Sequence, residues 1–334
     1  MIEQRLNITN VNKKEPFLKH FLKKYRVQIY FGIAAISAVT ISFLVGYAFR
    51  TLKQKKSVEF SSLSHPRFES SLVNITQYNF GDISLNFGNV PVYRYETNVI
   101  GMIDGAAKRL GINSPIKEDK YNEIYYWKDD KQELSFSSIT GRVYYKGDSN
   151  LVWLSEADIK KGLMEIFSIN TANLELLFYY PGKNSSWWTF YFKFNGKKVF
   201  CEGDDRAVSI FTDGSGKVVE ISLFYIDTVG SVRVPLLPAS YIKENIDKLP
   251  KFVKTVIYSD VECKDEFCYR DPSSFTGSFE VKSAEISYYK EQMDRPFLIP
   301  VLSLYGDIVT EKGSREEGVV LVDIIDWKSY GTGS

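Results

Sequence analysis

The feature that most constrains this chain is a run of 23 uncharged residues, Val27–Phe49, between Arg26 and Arg50. The run reads VQIYFGIAAISAVTISFLVGYAF and contains no proline. At about 1.5 Å per residue, a helix of this length spans the roughly 30 Å hydrocarbon core of a bilayer. The run therefore predicts a transmembrane helix.

A cleaved signal peptide is the alternative interpretation of this run. The apolar part of a signal peptide is only about 7–15 residues long and ends in a cleavage site made of small residues. Here the apolar run is longer, and it ends at Gly46-Tyr47-Ala48-Phe49 directly before Arg50. We therefore interpret the run as a permanent anchor.

Charge on the two flanks predicts the orientation of the anchor. Residues 1–26 carry seven Lys and Arg side chains, and residues 50–56 carry four. Because the more basic flank usually stays in the cytoplasm, the N-terminus is predicted to be cytoplasmic and the C-terminal region to lie outside the cell membrane. Both basic flanks are expected to contact anionic membrane lipid.

The region beyond the anchor is acidic. The whole chain has a net charge of +1; residues 1–26 contribute +5 and residues 50–56 contribute +4, which leaves −8 for residues 57–334. Nucleic-acid binding requires clustered positive charge, so no nucleic-acid partner is expected.

Aromatic residues in the C-terminal region predict antiparallel sheet. They occur in short alternating runs such as Trp187–Phe194, bounded by Gly, Asn and Asp, as is typical of strands. A sugar- or peptide-stacking surface built from Trp187 and Trp188 is the alternative. Successive residues of a strand point to opposite faces, however, so these two rings cannot both line one site.

Helical periodicity interrupts the strands over residues 99–110, 156–167 and 240–248, with Ser155 and Asp158 as a capping pair at the second. We therefore predict an α+β fold, in which an N-terminal transmembrane helix precedes antiparallel sheets with short helices packed on one face. The predicted domains are a basic cytoplasmic tail (1–26), the transmembrane helix (27–49), a juxtamembrane linker (50–72) and two α+β subdomains (73–150 and 151–330).

Few residues suggest catalysis. The two histidines, His20 and His65, fall in the predicted tail and linker, so the predicted folded region has none. Histidine-based triads and metal sites are therefore not expected, and we predict no catalytic residue, metal or cofactor. The alternative function is a glycan hydrolase that uses two carboxylates, for which Asp204-Asp205 and Glu316-Glu317 are the adjacent pairs.

Cysteines and small residues supply the remaining candidates. Cys263 and Cys268 are separated by four residues and would form a local disulfide in an oxidising compartment, with free thiols as the alternative; Cys201 is expected to be a buried apolar residue. Small residues at every fourth position of the span allow close approach of a second helix, from another copy or another membrane protein. They are Ala34, Ala38, Ser42 and Gly46.

Three segments carry a family resemblance. Ser283–Asp307, SAEISYYKEQMDRPFLIPVLSLYGD, resembles the closing hairpin of YycH/YycI-type proteins and related PepSY-like domains. Val232–Leu249 (VRVPLLPASYIKENIDKL) is similar to the Pro-containing entry into the helix of that family, and Asp213–Tyr225 is similar to its Gly-turn hairpin. The resemblance covers residues 150–325, and a single N-terminal anchor also matches.

This resemblance implies PepSY/YycI-like units and a membrane-anchored extracytoplasmic regulator that acts by protein contact, often on a sensor kinase through paired membrane helices. It brings no catalytic residues. The expected function is therefore a non-enzymatic single-pass membrane protein whose outer domain binds a protein or an envelope component. The sequence leaves the oligomeric state open.

Overall fold

The computed structural model describes residues 60, 63–68, 73–88, 90–148, 150–201, 205–255, 275–311 and 313–331. The predicted span at 27–49, with Ala34, Ala38, Ser42 and Gly46, lies outside the described residues, as do Cys263 and Cys268. Within the described ranges, no helix is long and apolar enough to cross a membrane. The anchor and the disulfide therefore stay predictions.

The described residues form strands and short helices. The strands are β1 (Val73–Asn79), β2 (Pro91–Tyr95), β3 (Lys117–Asp119), β4 (Ile124–Lys128), β5 (Gln132–Ser137), β6 (Arg142–Gly147), β7 (Leu174–Pro181), β8 (Ser185–Phe194), β9 (Lys197–Cys201), β10 (Val208–Asp213), β11 (Val218–Phe224), β12 (Thr228–Arg233), β13 (Lys251–Thr255), β14 (Phe275–Lys290), β15 (Phe297–Thr310) and β16 (Arg315–Asp323). The α-helices are α1 (Ile100–Arg109), α2 (Glu156–Phe167), α3 (Ala239–Asn245) and α4 (Trp327–Gly331), and 3₁₀ turns occur at Thr171–Asn173 and Ile246–Lys248. The prediction of a sheet-rich α+β chain with few helices is confirmed.

Hydrogen bonding joins these strands into one sheet in the order β12-β2-β15-β14-β9-β8-β10-β11-β6-β5-β4-β3. β16 pairs with β15 and β13, β1 with β14, and β7 with β8. The expectation of purely antiparallel pairing is wrong, because β14 runs parallel to both β1 and β9. Parallel neighbours require a long connection, and the chain between β9 and β14 supplies one.

The core of the β4–β11 region lies between the sheet and the two longer helices. Ile103 of α1 and Leu163 of α2 are buried in the same cluster as Trp127 and Trp188 of the sheet. Trp127 Nε1 donates to Asp104 Oδ1 of α1 at 2.9 Å, and Arg109 Nε donates to the carbonyl of Ile166 in α2 at 2.7 Å. We call the side of these strands that faces α1 and α2 the inner face.

Helix α2 begins where the capping pair predicts. Ser155 has extended backbone, and its Oγ accepts a hydrogen bond from the backbone N–H of Asp158 at 3.2 Å. Such a cap satisfies one of the free N–H groups at the start of a helix. The helix ends at Phe167, with Ser168 in the left-handed conformation.

The described residues belong to one compact unit, Glu59–Ser334. Within this unit, β6 of the predicted first subdomain pairs along its length with β11 of the predicted second. The division into subdomains 73–150 and 151–330 stays a prediction.

Candidate binding site on the sheet face

Alternation along β8 separates the two tryptophans that the sequence singles out. Trp188 is 8% exposed and lies on the inner face with Phe190, whereas Trp187 is half-buried on the opposite side of the sheet. The prediction that the two rings cannot line one site is therefore confirmed. We call the side that carries Trp187 the outer face.

A shallow hollow of about 390 Å³ opens on the outer face. It is bounded by three aromatic rings, two hydroxyls, one carboxylate and one aliphatic residue from the adjacent strands β6, β11, β10 and β8. These residues are Tyr144, Trp187, Ser209, Ile210, Phe211, Glu220 and Ser222.

Strand register brings together the residues that bound the hollow. Ser209 lies opposite Ser222, which lies opposite Tyr144 on the next strand, and Phe211 lies opposite both Trp187 and Glu220. These six positions fall on one face because each strand contributes alternate residues; the remaining residue, Ile210, lies opposite Trp188 and its side chain is buried on the inner face. The residues are far apart in the sequence, so only the pairing of the strands reveals the site.

Two charged groups sit at one end of the hollow. Lys146 Nζ lies 3.0 Å from Glu220 Oε1. Burial, reinforced by the nearby Glu220 carboxylate, raises the pKa of the Tyr144 hydroxyl. The Tyr144 hydroxyl is therefore neutral at physiological pH and can donate a hydrogen bond. Aromatic walls with a few polar groups are typical of a site that binds and orients a ligand.

The acidic pairs that suggest glycan hydrolysis lie elsewhere. Asp205 forms ion pairs with Lys198 at 3.1 Å and with Lys254 at 3.2 Å, and Asp204 is outside the described residues. Glu316 and Glu317 lie on β16. The structure therefore brings none of the described members of these pairs into the hollow, whose lining contains a single carboxylate.

Aromatic side chains extend the outer face from the hollow towards β7. The ring of Phe178 contacts that of Trp187 edge-on, with centroids 5.6 Å apart, and is stacked with Tyr180 at 6.4 Å. On the inner face, Tyr179 stacks on Trp188 at 3.9 Å. The pairing of β7 with β8 shifts register between Leu176 and Phe178, and this shift puts Phe178 and Tyr180 on the outer face and Tyr179 on the inner face.

A second cluster involves residues 63–68, which the sequence assigns to the linker. Leu63 is buried against Phe297 and neighbouring apolar residues, and Arg295 Nη2 donates to the carbonyls of Ser64 and His65 at 3.0 Å each. His65 Nδ1 lies 2.6 Å from Asp323 Oδ2. The prediction that the folded region contains no histidine is therefore wrong: the sequence does not show that this polar stretch packs on the sheet.

Buried charge surrounds the same segment. Glu291 Oε1 accepts a hydrogen bond from the backbone N–H of Arg67 at 2.8 Å, and Trp327 Nε1 donates to Asp323 Oδ2 at 2.6 Å. Burial raises the pKa of both Glu291 and Asp323, and hydrogen bonds from the segment and from Trp327 oppose that shift. These contacts hold residues 63–68 against the sheet.

Cys201, at the end of β9, is fully buried within the main apolar cluster. This confirms the prediction that it is buried.

No protein-family model matches the chain, and no curated protein matches it. Among solved structures, it is similar to an uncharacterized protein from Eubacterium rectale, with 12% identity and a TM-score of 0.39 over 76% of this chain and 88% of the other. It is also similar to the Bacillus megaterium YpeB C-terminal domain, with 12% identity and a TM-score of 0.28 over 70% and 99% of the two chains. YycH from Bacillus subtilis matches with 10% identity and a TM-score of 0.29 over 70% of this chain and 51% of that one.

Proposed function

We propose that this chain is a non-enzymatic, single-pass membrane protein whose domain lies outside the cytoplasmic membrane and binds a protein or an envelope component through the outer face of its sheet. The observation that supports this function is the hollow bounded by Tyr144, Trp187 and Phe211. Tyrosine and tryptophan are enriched in binding surfaces because they bury a large apolar area and still offer a polar group.

The chemistry of the hollow favours binding. Three rings provide surfaces for an apolar side chain or for the face of a sugar, while Ser209, Ser222 and Glu220 provide hydrogen-bonding groups between them. The ion pair between Lys146 and Glu220 is on the exposed rim, where it contributes selectivity more than affinity.

Location and regulation complete the proposal. The span at 27–49 anchors the chain, and the basic residues on its flanks contact anionic lipid. The sequence resemblance to YycH/YycI-type proteins favours a partner in the membrane, so that binding by the outer domain regulates a membrane sensor or an envelope process. The small-residue face of the span is proposed as an additional contact with another membrane protein.

Site-specific photocrosslinking tests the binding face. A photoreactive phenylalanine analogue replaces Phe211 in the full-length protein, expressed in its native membrane. The matched control carries the analogue at Tyr121, which is 94% exposed in the turn before β4. We expect a discrete adduct from position 211 that is absent from position 121 and is lost when Tyr144→Ala is added.

Two further arms distinguish the partner class. An adduct that migrates as a defined band and yields peptides of a second protein by mass spectrometry indicates a protein; co-sedimentation of the detergent-solubilised protein with membrane-free envelope polymer that Tyr144→Ala abolishes indicates an envelope polymer. Equal crosslinking at positions 211 and 121, together with unchanged sedimentation of Tyr144→Ala, would refute the binding face.

A further inference from the structure

Strand β7 forms an edge of the sheet. Among the described strands it pairs only with β8, in antiparallel register from Leu174↔Phe192 to Pro181↔Ser186. The opposite side of an edge strand presents a row of backbone N–H and C=O groups that can pair with another chain. Natural proteins usually protect such an edge with charged residues, especially lysine.

β7 lacks such charges at its centre; the features that could protect it, a register shift before Phe178 and Pro181 at its end, lie on either side of residues 178–180. Its sequence, LELLFYYP, contains one charged residue, Glu175. Glu175 is already bonded within its own chain, 2.6 Å from Lys193 Nζ. Four large apolar or aromatic side chains are at least a third exposed: Leu176 (37%), Phe178 (37%), Tyr179 (42%) and Tyr180 (52%). An edge with this composition is suited to being covered by another strand.

We infer that β7 pairs antiparallel with β7 of a second copy of this chain, which joins two sheets across a twofold axis at Tyr179. This inference concerns self-association and goes beyond the proposed binding of a partner at the hollow. Closed, twofold-symmetric dimers are the commonest form of protein oligomer.

The side-chain pattern fits a second copy. Phe178 and Tyr180 lie on the outer face and flank Tyr179, which lies on the inner face. With Tyr179 opposite itself, Phe178 of one copy lies opposite the partner's Tyr180, so rings meet rings on both faces. Aromatic cross-strand pairs stabilise a sheet, and residues directly opposite one another have Cβ atoms about 4.5–5.5 Å apart.

Charge also favours antiparallel self-pairing. Glu175 precedes Tyr179 by four residues, and the exposed Lys183 follows it by four. An antiparallel copy therefore brings Lys183 to the same end of the interface as the partner's Glu175, where that carboxylate would be shared between Lys183 and the Lys193 of its own chain. A parallel copy would instead place like charges together, which is destabilising.

Cysteine crosslinking of the full-length protein in membranes tests this geometry. Tyr179→Cys is compared with Tyr121→Cys and with the wild type, whose native cysteines give the background. After mild oxidation, we expect a covalent dimer from Tyr179→Cys at several times the yield of either control. No dimer above background, equal yields at both positions, or an adduct only with a different protein would overturn the inference.

A charge-pair experiment provides a second test. Tyr179→Lys and Tyr179→Glu are each expressed as two differently tagged full-length copies, with Tyr179→Phe as the folding control. We expect co-purification to fall about tenfold for either charged variant alone, because like charges then oppose each other, and to recover when Lys and Glu copies are mixed. Undiminished self-association of Tyr179→Lys, or failure of the mixture to recover, would contradict the inference.

The dimer and the binding face can be refuted independently of each other. Tyr144→Ala should abolish crosslinking from position 211 without changing the yield of the Tyr179→Cys dimer. Conversely, loss of the dimer with retention of the position-211 adduct would overturn self-pairing and leave the proposed function intact.

Discussion

Gly162→Ala is expected to destabilise the folded unit, although a Gly-to-Ala change at an exposed position of a helix usually stabilises a protein. Gly162 lies in α2, and a Cβ built on it would lie 2.3 Å from Cζ2 and 2.4 Å from Cε2 of the Trp153 ring. Alanine gains about 1 kcal/mol of helix propensity over glycine. Forcing an extra methyl group into a packed core costs about 1–3 kcal/mol.

The Trp153 ring has little freedom to move away. It is 5% exposed, and its backbone N–H donates to the carbonyl of Gly216 at 2.8 Å. The overpacking cost therefore falls at the upper end of its range, and we expect a net loss of about 2 kcal/mol in the free energy of unfolding. Gly101 in α1 is the matched control, because its Cβ would meet nothing within 4 Å. Gly101→Ala should stabilise by about 0.5–1 kcal/mol.

Urea unfolding of the full-length protein in detergent, followed by far-UV circular dichroism, measures both variants. The double variant Gly162→Ala/Trp153→Leu makes room for the added methyl group and should be less destabilised than the sum of the two single changes. A Gly162→Ala protein that is as stable as the wild type, or more so, would show that α2 does not pack on Trp153 as described.

Further predictions concern the buried charges and the anchor. Burial raises the pKa of the Glu291 carboxyl above its ordinary 4.5. The carboxyl therefore contributes to the free energy of unfolding below that pH, and this contribution is lost as the pH rises through the folded-state pKa. In urea titrations, the stability of the wild type should fall relative to that of Glu291→Gln as the pH rises from about 4.5 to 8. Arg295→Met should cost about 3–5 kcal/mol in the same assay, since it leaves buried Glu291 without the guanidinium that lies 3.9 Å from its carboxylate. The same change should expose residues 63–68 to protease, since the hydrogen bonds to the carbonyls of Ser64 and His65 are lost; loss of the exposed ion pair between Arg67 and Asp294 should cost under about 1 kcal/mol. Alkaline phosphatase, fused to the C-terminus, should be active in the full chain and inactive when residues 27–49 are deleted, because its disulfides form outside the cytoplasm. Leucine at Ala38 and Ser42 should weaken crosslinking between spans, and unchanged crosslinking would exclude that contact face.

Local patterns predict much of the fold of the C-terminal region. The capping pair at Ser155 and the apolar spacing that follows it predict the bounds of α2, and aromatic alternation over Trp187–Phe194 predicts β8 within two residues. Sheet topology is harder to predict, because the pairing of β14 with β1 and β9 joins segments far apart in the chain. No local pattern specifies which strand becomes the neighbour of another.

The candidate site is less predictable for the same reason. Alternation already separates Trp187 from Trp188, but the hollow exists only because Phe211 and Tyr144 are brought beside Trp187 by strand register. The position of His65 was unpredictable for a different reason. A polar, serine-rich stretch is typical of a linker, and the groups that hold this stretch to the sheet, such as buried Asp323 and Arg295, lie far along the chain.

The division of this sheet into two faces has an evolutionary consequence. Because Trp188 and Phe190 pack on the helices while Trp187 faces outwards, neighbouring positions of one strand are under different selection. Substitutions at Trp187 can alter ligand preference with little change in folding, whereas Trp188 and Phe190 are constrained by the core, and Thr189 is itself buried although it lies on the outer face. A lineage of such proteins could therefore change its binding partner repeatedly on one conserved scaffold, and its sequences would vary more at position 187 than at positions 188–190.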